Sequence, residues 1–315
     1  MSDHVRITDV APRDGLQNEP GVIPTDDKVR LIRLLTHTGV DEIENSSFVS
    51  PKWIPQLGDA AEVFAQLADR DQPLPVFCAL VPNETGMHAA LAVNKQAGHR
   101  LIDKIAVFTS ASETFSRKNT NASIDETFER FGPVISLARD HGLAVRGYVS
   151  CVVKCPFEED ISPAKVAEVA ARLLGDDPLT CVDEIDLGDT IGAGMPETIG
   201  RMIEAVLDVV GQERIGDITL HLHDTFGHAP DCVREALDLG IRSFDGSVAG
   251  IGGCPYASTP DQRAPGNIST ESLVVTINDA GFRTNVDLEQ LGRAASFAQH
   301  VLANARSNES TGPTP

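Results

Sequence analysis

Eight short apolar runs recur along the chain at intervals of roughly 25–40 residues, and each leads through a turn into a segment of helical period. The strands this spacing predicts are 5–10 (VRITDV), 40–44 (VDEIE), 75–81 (PVFCALV), 102–108 (IDKIAVF), 143–150 (LAVRGYVS), 182–187 (VDEIDL), 218–223 (ITLHLH) and 243–248 (SFDGSV). Helix starts stand between them: Thr25 before Asp26-Asp27, Ser123 with Glu126 as a capping box, and Ser162 ahead of Pro163. Gly39, Gly142, Gly240 and Gly281 sit where helices should stop. Eight alternating units in about 250 residues fit a closed (β/α)₈ TIM barrel of the α/β class. An open dinucleotide-binding sheet would want a glycine-rich turn after the first strand, and "APRDGLQNEP" does not supply one. The segment 284–306 reads as one additional C-terminal helix on the outside of a single catalytic domain, 1–306. The remainder, 307–315, has no apolar face and is expected to be a disordered tail.

Charge and hydropathy exclude several roles. A formal net charge of −20 disfavours contact with nucleic acid and with anionic membrane surfaces. No run of about 18 apolar residues offers a membrane span, and "MSDHVRITDV" enters a strand pattern without the features of an export or import signal, so a cytoplasmic location is expected. The six cysteines lack any paired C-x-x-C spacing and are read as free thiols.

In a barrel of this kind the C-terminal strand ends converge on the active site, which gives weight to polar residues placed there. Arg13 and Asp14 follow the first strand, Glu44 ends the second, and Asp189 follows the sixth. His221 and His223 end the seventh, and Cys254 and Asn267 lie beyond the eighth. On a strand, positions i and i+2 share a face, so His221 and His223 project together while Leu220 and Leu222 face the helices. Such a pair can bind one ion, or can be satisfied by hydrogen bonds and water. Oxygen ligands arriving from Asp14 and Asn267 would favour a six-coordinate Mg²⁺ or Mn²⁺ over a closed structural zinc. Taken singly, Asp14-Gly15 is also an ordinary turn pair, and Cys254 an ordinary packed thiol. Asp224 is expected to support one of the histidines from behind, and His228 to lead into a helix.

The blocks "APRDGLQNEP", "FVSPKWIPQLGDAAEV", "ISPAKVAEV", "LGDTIGAGMP", "HLHDTFGHA" and "SVAGIGGCPYA" occur in that order. Together they closely resemble the 3-hydroxy-3-methylglutaryl-CoA lyase family, over about residues 5–305. "RDG" and "HLHD" alone would also fit the wider metal-dependent barrel superfamily, whose 2-isopropylmalate and homocitrate synthases join acetyl-CoA to a 2-keto acid. "GIGGCPYA" is the more specific element. The resemblance implies a divalent metal held by Asp14, His221, His223 and Asn267, with Arg13, Glu44, Asp189 and Cys254 in catalysis. It implies an acyl-CoA substrate, cleavage to acetyl-CoA and a keto acid such as acetoacetate, and a homodimer. One departure stands out: "CPYASTPDQRAPGN", from Cys254 to Asn267, is a few residues longer than the family's usual loop. This insertion raises the expectation of a longer or different acyl branch.

Overall fold

The computed structural model describes residues 3–70, 75–252 and 266–310. Eight parallel strands close into a barrel: β1 (Arg6–Asp9), β2 (Glu42–Ser47), β3 (Val76–Leu80), β4 (Lys104–Ser110), β5 (Ala144–Ser150), β6 (Glu184–Asp189), β7 (Ile218–Leu222) and β8 (Ser243–Gly246). Each pairs with its neighbours in chain order, and β8 returns to β1 with Arg6 opposite Ser243 and Asp9 opposite Gly246. The fold is the expected TIM barrel. A small antiparallel hairpin, Lys154–Cys155 with Glu159–Asp160, is inserted after β5 and was not foreseen.

Strand alternation sorts the side chains into two compartments. Ile7, Ile43, Phe77, Ile105, Val145, Ile185, Leu220 and Phe244, one from each strand, are buried outward in a single apolar cluster with the helices. The helix Pro196–Val210 is typical of the outer layer, burying Ile199, Met202, Ile203, Val206 and Leu207 at helical spacing. The inward positions are largely polar, although barrels of this class more often fill their interior with branched apolar side chains.

Arg146 on β5 is the centre of that interior, and its side chain is 1% exposed. Its Nε donates to Glu184 (2.6 Å), one terminal nitrogen to Asp245 (3.0 Å), and the other to Thr8 Oγ1 (3.1 Å). Lys104 bridges Glu42 (2.5 Å) and Glu184 (2.8 Å) one strand away. Burial opposes ionisation of Glu184, but Arg146 and Lys104 outweigh it and pull the carboxyl down to about 2. Asp186 lies on the other side of this balance. Burial and the neighbouring Asp245 push its pKa far up, so it is held as the neutral acid.

This polar interior explains where the strands differ from expectation. The sequence pattern ends the second strand at Glu44, yet β2 continues through Asn45, Ser46 and Ser47, all buried, with a register shift between Glu44 and Ser46. Polar residues here mark the barrel lumen rather than a strand end, and a bulge beside a site commonly re-aims a side chain. Strand β6 likewise runs on to include Asp189. Ser123 and Glu126 form the expected capping box, at 3.1 and 2.6 Å. Thr25 is already inside its helix, and its hydroxyl donates to Asp59 instead (2.7 Å).

The C-terminal helix spans Leu288–Ser310, continuing past the boundary expected at 306; residues 311–315 lie outside the described residues. It packs on the helix Thr25–Thr36. Arg306 clamps Glu19 through two hydrogen bonds of 3.1 and 3.0 Å. A Cβ on Gly21 would collide with the Ala305 carbonyl, so the loop after β1 is seated directly against this helix. No helix among the described residues is long and apolar enough to cross a membrane, and the described cysteines are free.

Removing Arg146 would leave the buried Asp245 without its guanidinium partner, and Glu184 and Glu42 with Lys104 alone. Arg146→Met is expected to cost about 3–5 kcal/mol, read as a lowered urea midpoint at unchanged slope.

Candidate metal centre and active site

The site begins with a wide helical turn, Ala11–Gly15, wound directly off β1. The amides of Arg13, Asp14 and Gly15 all donate to the Val10 carbonyl, at 3.2, 2.8 and 3.2 Å. This winding turns Arg13 and Asp14 together into the barrel mouth. Arg13 Nε donates to Glu44 (2.5 Å) at the inner end, and a terminal nitrogen donates to Asp14 (2.9 Å). Glu44 is fully buried and its second oxygen has no partner among the described residues. Burial raises the Glu44 pKa, with Arg13 pulling the other way. Burial works against the Arg13 cation too, but Glu44 and Asp14 hold it firmly charged.

Asn267 arrives by backbone pairing. The amide of Ile268 donates to Leu222 (2.9 Å) and that of Asp224 to Gly266 (2.6 Å), which lays Asn267 alongside His223 at the end of β7. The Asn267 amide nitrogen then donates to Asp14 (2.8 Å) and to the Ile251 carbonyl (3.2 Å), and its amide oxygen is the atom it can offer a cation. Gly252 lies against this amide at φ +103, where a Cβ would sit 2.6 Å from that nitrogen. Only glycine tolerates both the conformation and the approach.

Asp14, His221 and His223 bring one ligand atom each to within 4.8 Å of one another. His221 is buried, while Asp14 and His223 are half-buried and reach toward the mouth. Burial and His221 lower the His223 pKa to about 4, so its imidazole is neutral at pH 7. Its Nδ1 is buried with no hydrogen-bond partner among the described residues. Burial opposes ionisation of Asp14, but Arg13 and the two histidines keep it below the usual carboxylate range. Two imidazoles, an ionised carboxylate and an amide oxygen form a donor set suited to a divalent cation with nitrogen and oxygen ligands.

His221 is supported by Asp245, whose carboxylate lies 3.2 Å from Nδ1. The sequence reading expects Asp224 in that role. Asp224 instead accepts from the Ala229 amide (3.1 Å) and opens the helix Ala229–Leu239, with His228 at its N-cap. Asp245 was legible in principle, because Phe244 faces outward and so its neighbour must face in. Tyr148, also missed, sets its ring edge-on to His221 (6.4 Å between centroids) and beneath Arg13 (5.4 Å).

Asp189 ends β6, which pairs with β7, and the His221 imidazole favours its charge. One of its oxygens accepts from Ala193 (3.1 Å) and the other from Gly194 (2.7 Å), pinning the loop after β6. Burial raises its pKa to about 6 against these bonds. Cys254 lies outside the described residues.

A family model described as HMGL-like matches residues 4–298. The chain belongs to the HMGL-like family. A mitochondrial hydroxymethylglutaryl-CoA lyase of Gallus gallus is 44% identical over 304 residues, covering 96% of this chain and 95% of that one. A 3-hydroxy-3-isohexenylglutaryl-CoA/hydroxymethylglutaryl-CoA lyase of Pseudomonas aeruginosa is 44% identical over 301 residues, 96% and 94% of the two chains. The crystal structure of an HMG-CoA lyase from Brucella melitensis superposes with a TM-score of 0.86 at 45% identity, covering 95% of this chain and 99% of that one. This HMGL-like chain therefore shares its fold with that lyase over nearly its full length.

Carboxylates behind metal-bound imidazoles are worth about 10–100-fold in affinity. Asp245→Asn is expected to weaken Mn²⁺ binding by that factor in calorimetry with the circular dichroism spectrum unchanged, and His223→Asn to weaken it further.

Proposed function

We propose that the chain is a divalent-metal-dependent carbon–carbon lyase that cleaves 3-hydroxy-3-methylglutaryl-CoA into acetyl-CoA and acetoacetate. The observation that carries this reading is Arg13, held between Glu44 and Asp14 beside the paired histidines. A guanidinium anchored in this way is preorganised for charge that develops during a reaction. The matched relatives carry lyase names over nearly the whole chain, which favours cleavage over the related carboligase chemistry.

Asp14, His221, His223 and Asn267 would hold Mg²⁺ or Mn²⁺. A divalent cation there, when bound, supplies Lewis acidity that makes the substrate's tertiary hydroxyl easier to deprotonate. The protein's own groups do the rest. Asp189 accepts the hydroxyl proton. The bond between C2 and C3 breaks as the C3 oxygen becomes the ketone of acetoacetate. Its electron pair moves onto the thioester as an enolate, whose oxygen Arg13 receives. Cys254 delivers the proton that C2 then needs, and acetyl-CoA results. Glu44 holds the guanidinium so that its remaining N–H groups face the substrate. The reading includes a homodimer, as the sequence resemblance implies, and the cytoplasmic location expected from the sequence.

The deciding assay is mass detection of acetoacetate and acetyl-CoA from 3-hydroxy-3-methylglutaryl-CoA. Arg13→Met should lower turnover by about 10²–10³-fold while Mn²⁺ content stays near that of the parent; turnover within about tenfold removes Arg13 from the enolate role. The base must be ionised to work, and burial raises the Asp189 pKa to about 6. Turnover is therefore expected to fall as pH drops through that value. Asp189→Asn should lose activity together with this acidic limb, and an unchanged limb in that variant assigns the base elsewhere.

A further inference from the structure

The barrel lumen is divided. Inward positions of β1, β2, β6, β7 and β8 carry Thr8, Glu42, Glu44, Asp186, His221 and Asp245, all buried and polar. On β3, β4 and β5 the same inward parity becomes apolar toward the C-terminal ends. Cys78, Leu80, Ala106 and Tyr148, with the half-buried Phe108 against them, form an apolar cluster separate from the main core. The alternation places it inside, because Phe77, Ala79, Ile105, Val107, Val145 and Val149 from the same strands belong to the outer core. Leu80 lies opposite Ala106, and Phe108 opposite Tyr148, so neighbouring strands present them as one wall.

We propose that the wall of Leu80, Phe108 and Tyr148 receives the alkyl branch on C3 of the acyl group and sets how large that branch can be. This rests on the lyase reading above. Tyr148 joins the wall to the site, its ring centroid 6.4 Å from that of His221 and 5.4 Å from the Arg13 guanidinium carbon. Its hydroxyl is buried with no partner among the described residues, so the ring is not held there by a hydrogen bond within the barrel. Phe108 remains partly open at the mouth side, next to a lumen that is otherwise charged. The acyl group has polar atoms on every side but one: a carboxylate, a hydroxyl and a thioester surround C3, and only the branch is hydrocarbon. An apolar wall facing a charged site matches that distribution, since burying the branch there desolvates no polar group.

The test is a competition in one vessel between 3-hydroxy-3-methylglutaryl-CoA and its 3-butyl counterpart, with both keto acids measured by mass. A methylene in an apolar pocket discriminates by about tenfold or more. Phe108→Leu and Leu80→Ala should each raise the butyl-to-methyl ratio of kcat/KM by at least about that factor, with Mn²⁺ affinity and thermal midpoint recorded alongside. A ratio unchanged in both variants, while either one still turns over the methyl substrate, overturns the proposal and leaves the wall as lumen packing. If the parent protein cleaves neither ester, the lyase reading itself has failed. Parent activity with an unshifted ratio refutes the branch assignment alone.

Discussion

The ionic interior centred on Arg146 is the constraint on which the rest of the molecule depends. A barrel whose lumen carries Glu42, Glu184, Asp186 and Asp245 can close only if those carboxylates are neutralised, because an unpaired buried charge costs several kcal/mol. Arg146 and Lys104 neutralise some, and Asp186 escapes by keeping its proton. The arrangement also extends upward. Asp245 is ionised despite burial because Arg146 and His221 both favour its charge, and the oxygen not facing Arg146 is the one that meets the His221 ring. Charge balance in the middle of the barrel thereby orients a candidate metal ligand at its mouth.

The mouth follows the same logic with a different purpose. Arg13, Glu44 and Asp14 form a short chain of charge-assisted hydrogen bonds, anchored inside by a fully buried carboxylate and ending beside two histidines. The backbone makes this possible at three places: the wide turn after β1, the register shift in β2, and the segment Gly266–Ile268 laid against β7. None of these is a regular strand or helix. Regular elements give the barrel its frame, and the irregular joints aim the side chains, as is usual where loops carry function on a rigid scaffold.

Much of the fold was legible because its signal is periodic. Eight runs, each with apolar residues on one parity, specify strands that bury one side against helices, and the helical segments between them are long enough to be the crossovers that parallel neighbours need. The same parity identified His221 and His223 as a pair. It would also have reached Asp245 and Tyr148, which face inward with His221 and Arg146. Such polar and aromatic residues read as strand interruptions when the lumen is assumed to be apolar. Asn45, Ser46 and Ser47 were lost from β2 for that reason. Asp224 was misassigned for another: closeness in sequence to the histidines says nothing about a carboxylate that the next helix needs at its N-terminus.

By itself the sequence determined the alternation of strands and helices, the closure into a barrel, and the set of residue types gathered at one end. Local periodicity and motif spacing carry that information without reference to distant contacts. The tertiary structure decided which groups act on one another. Asn267 is 253 positions from Asp14 and Asp245 is 24 from His221, and both meetings arise from barrel closure and register. Ionisation was decided there as well. The carboxylates of Asp186, Asp189 and Asp245 are chemically identical in the sequence, and only burial and the neighbours around each one separate a neutral acid, a group near pH 6 and a fixed anion.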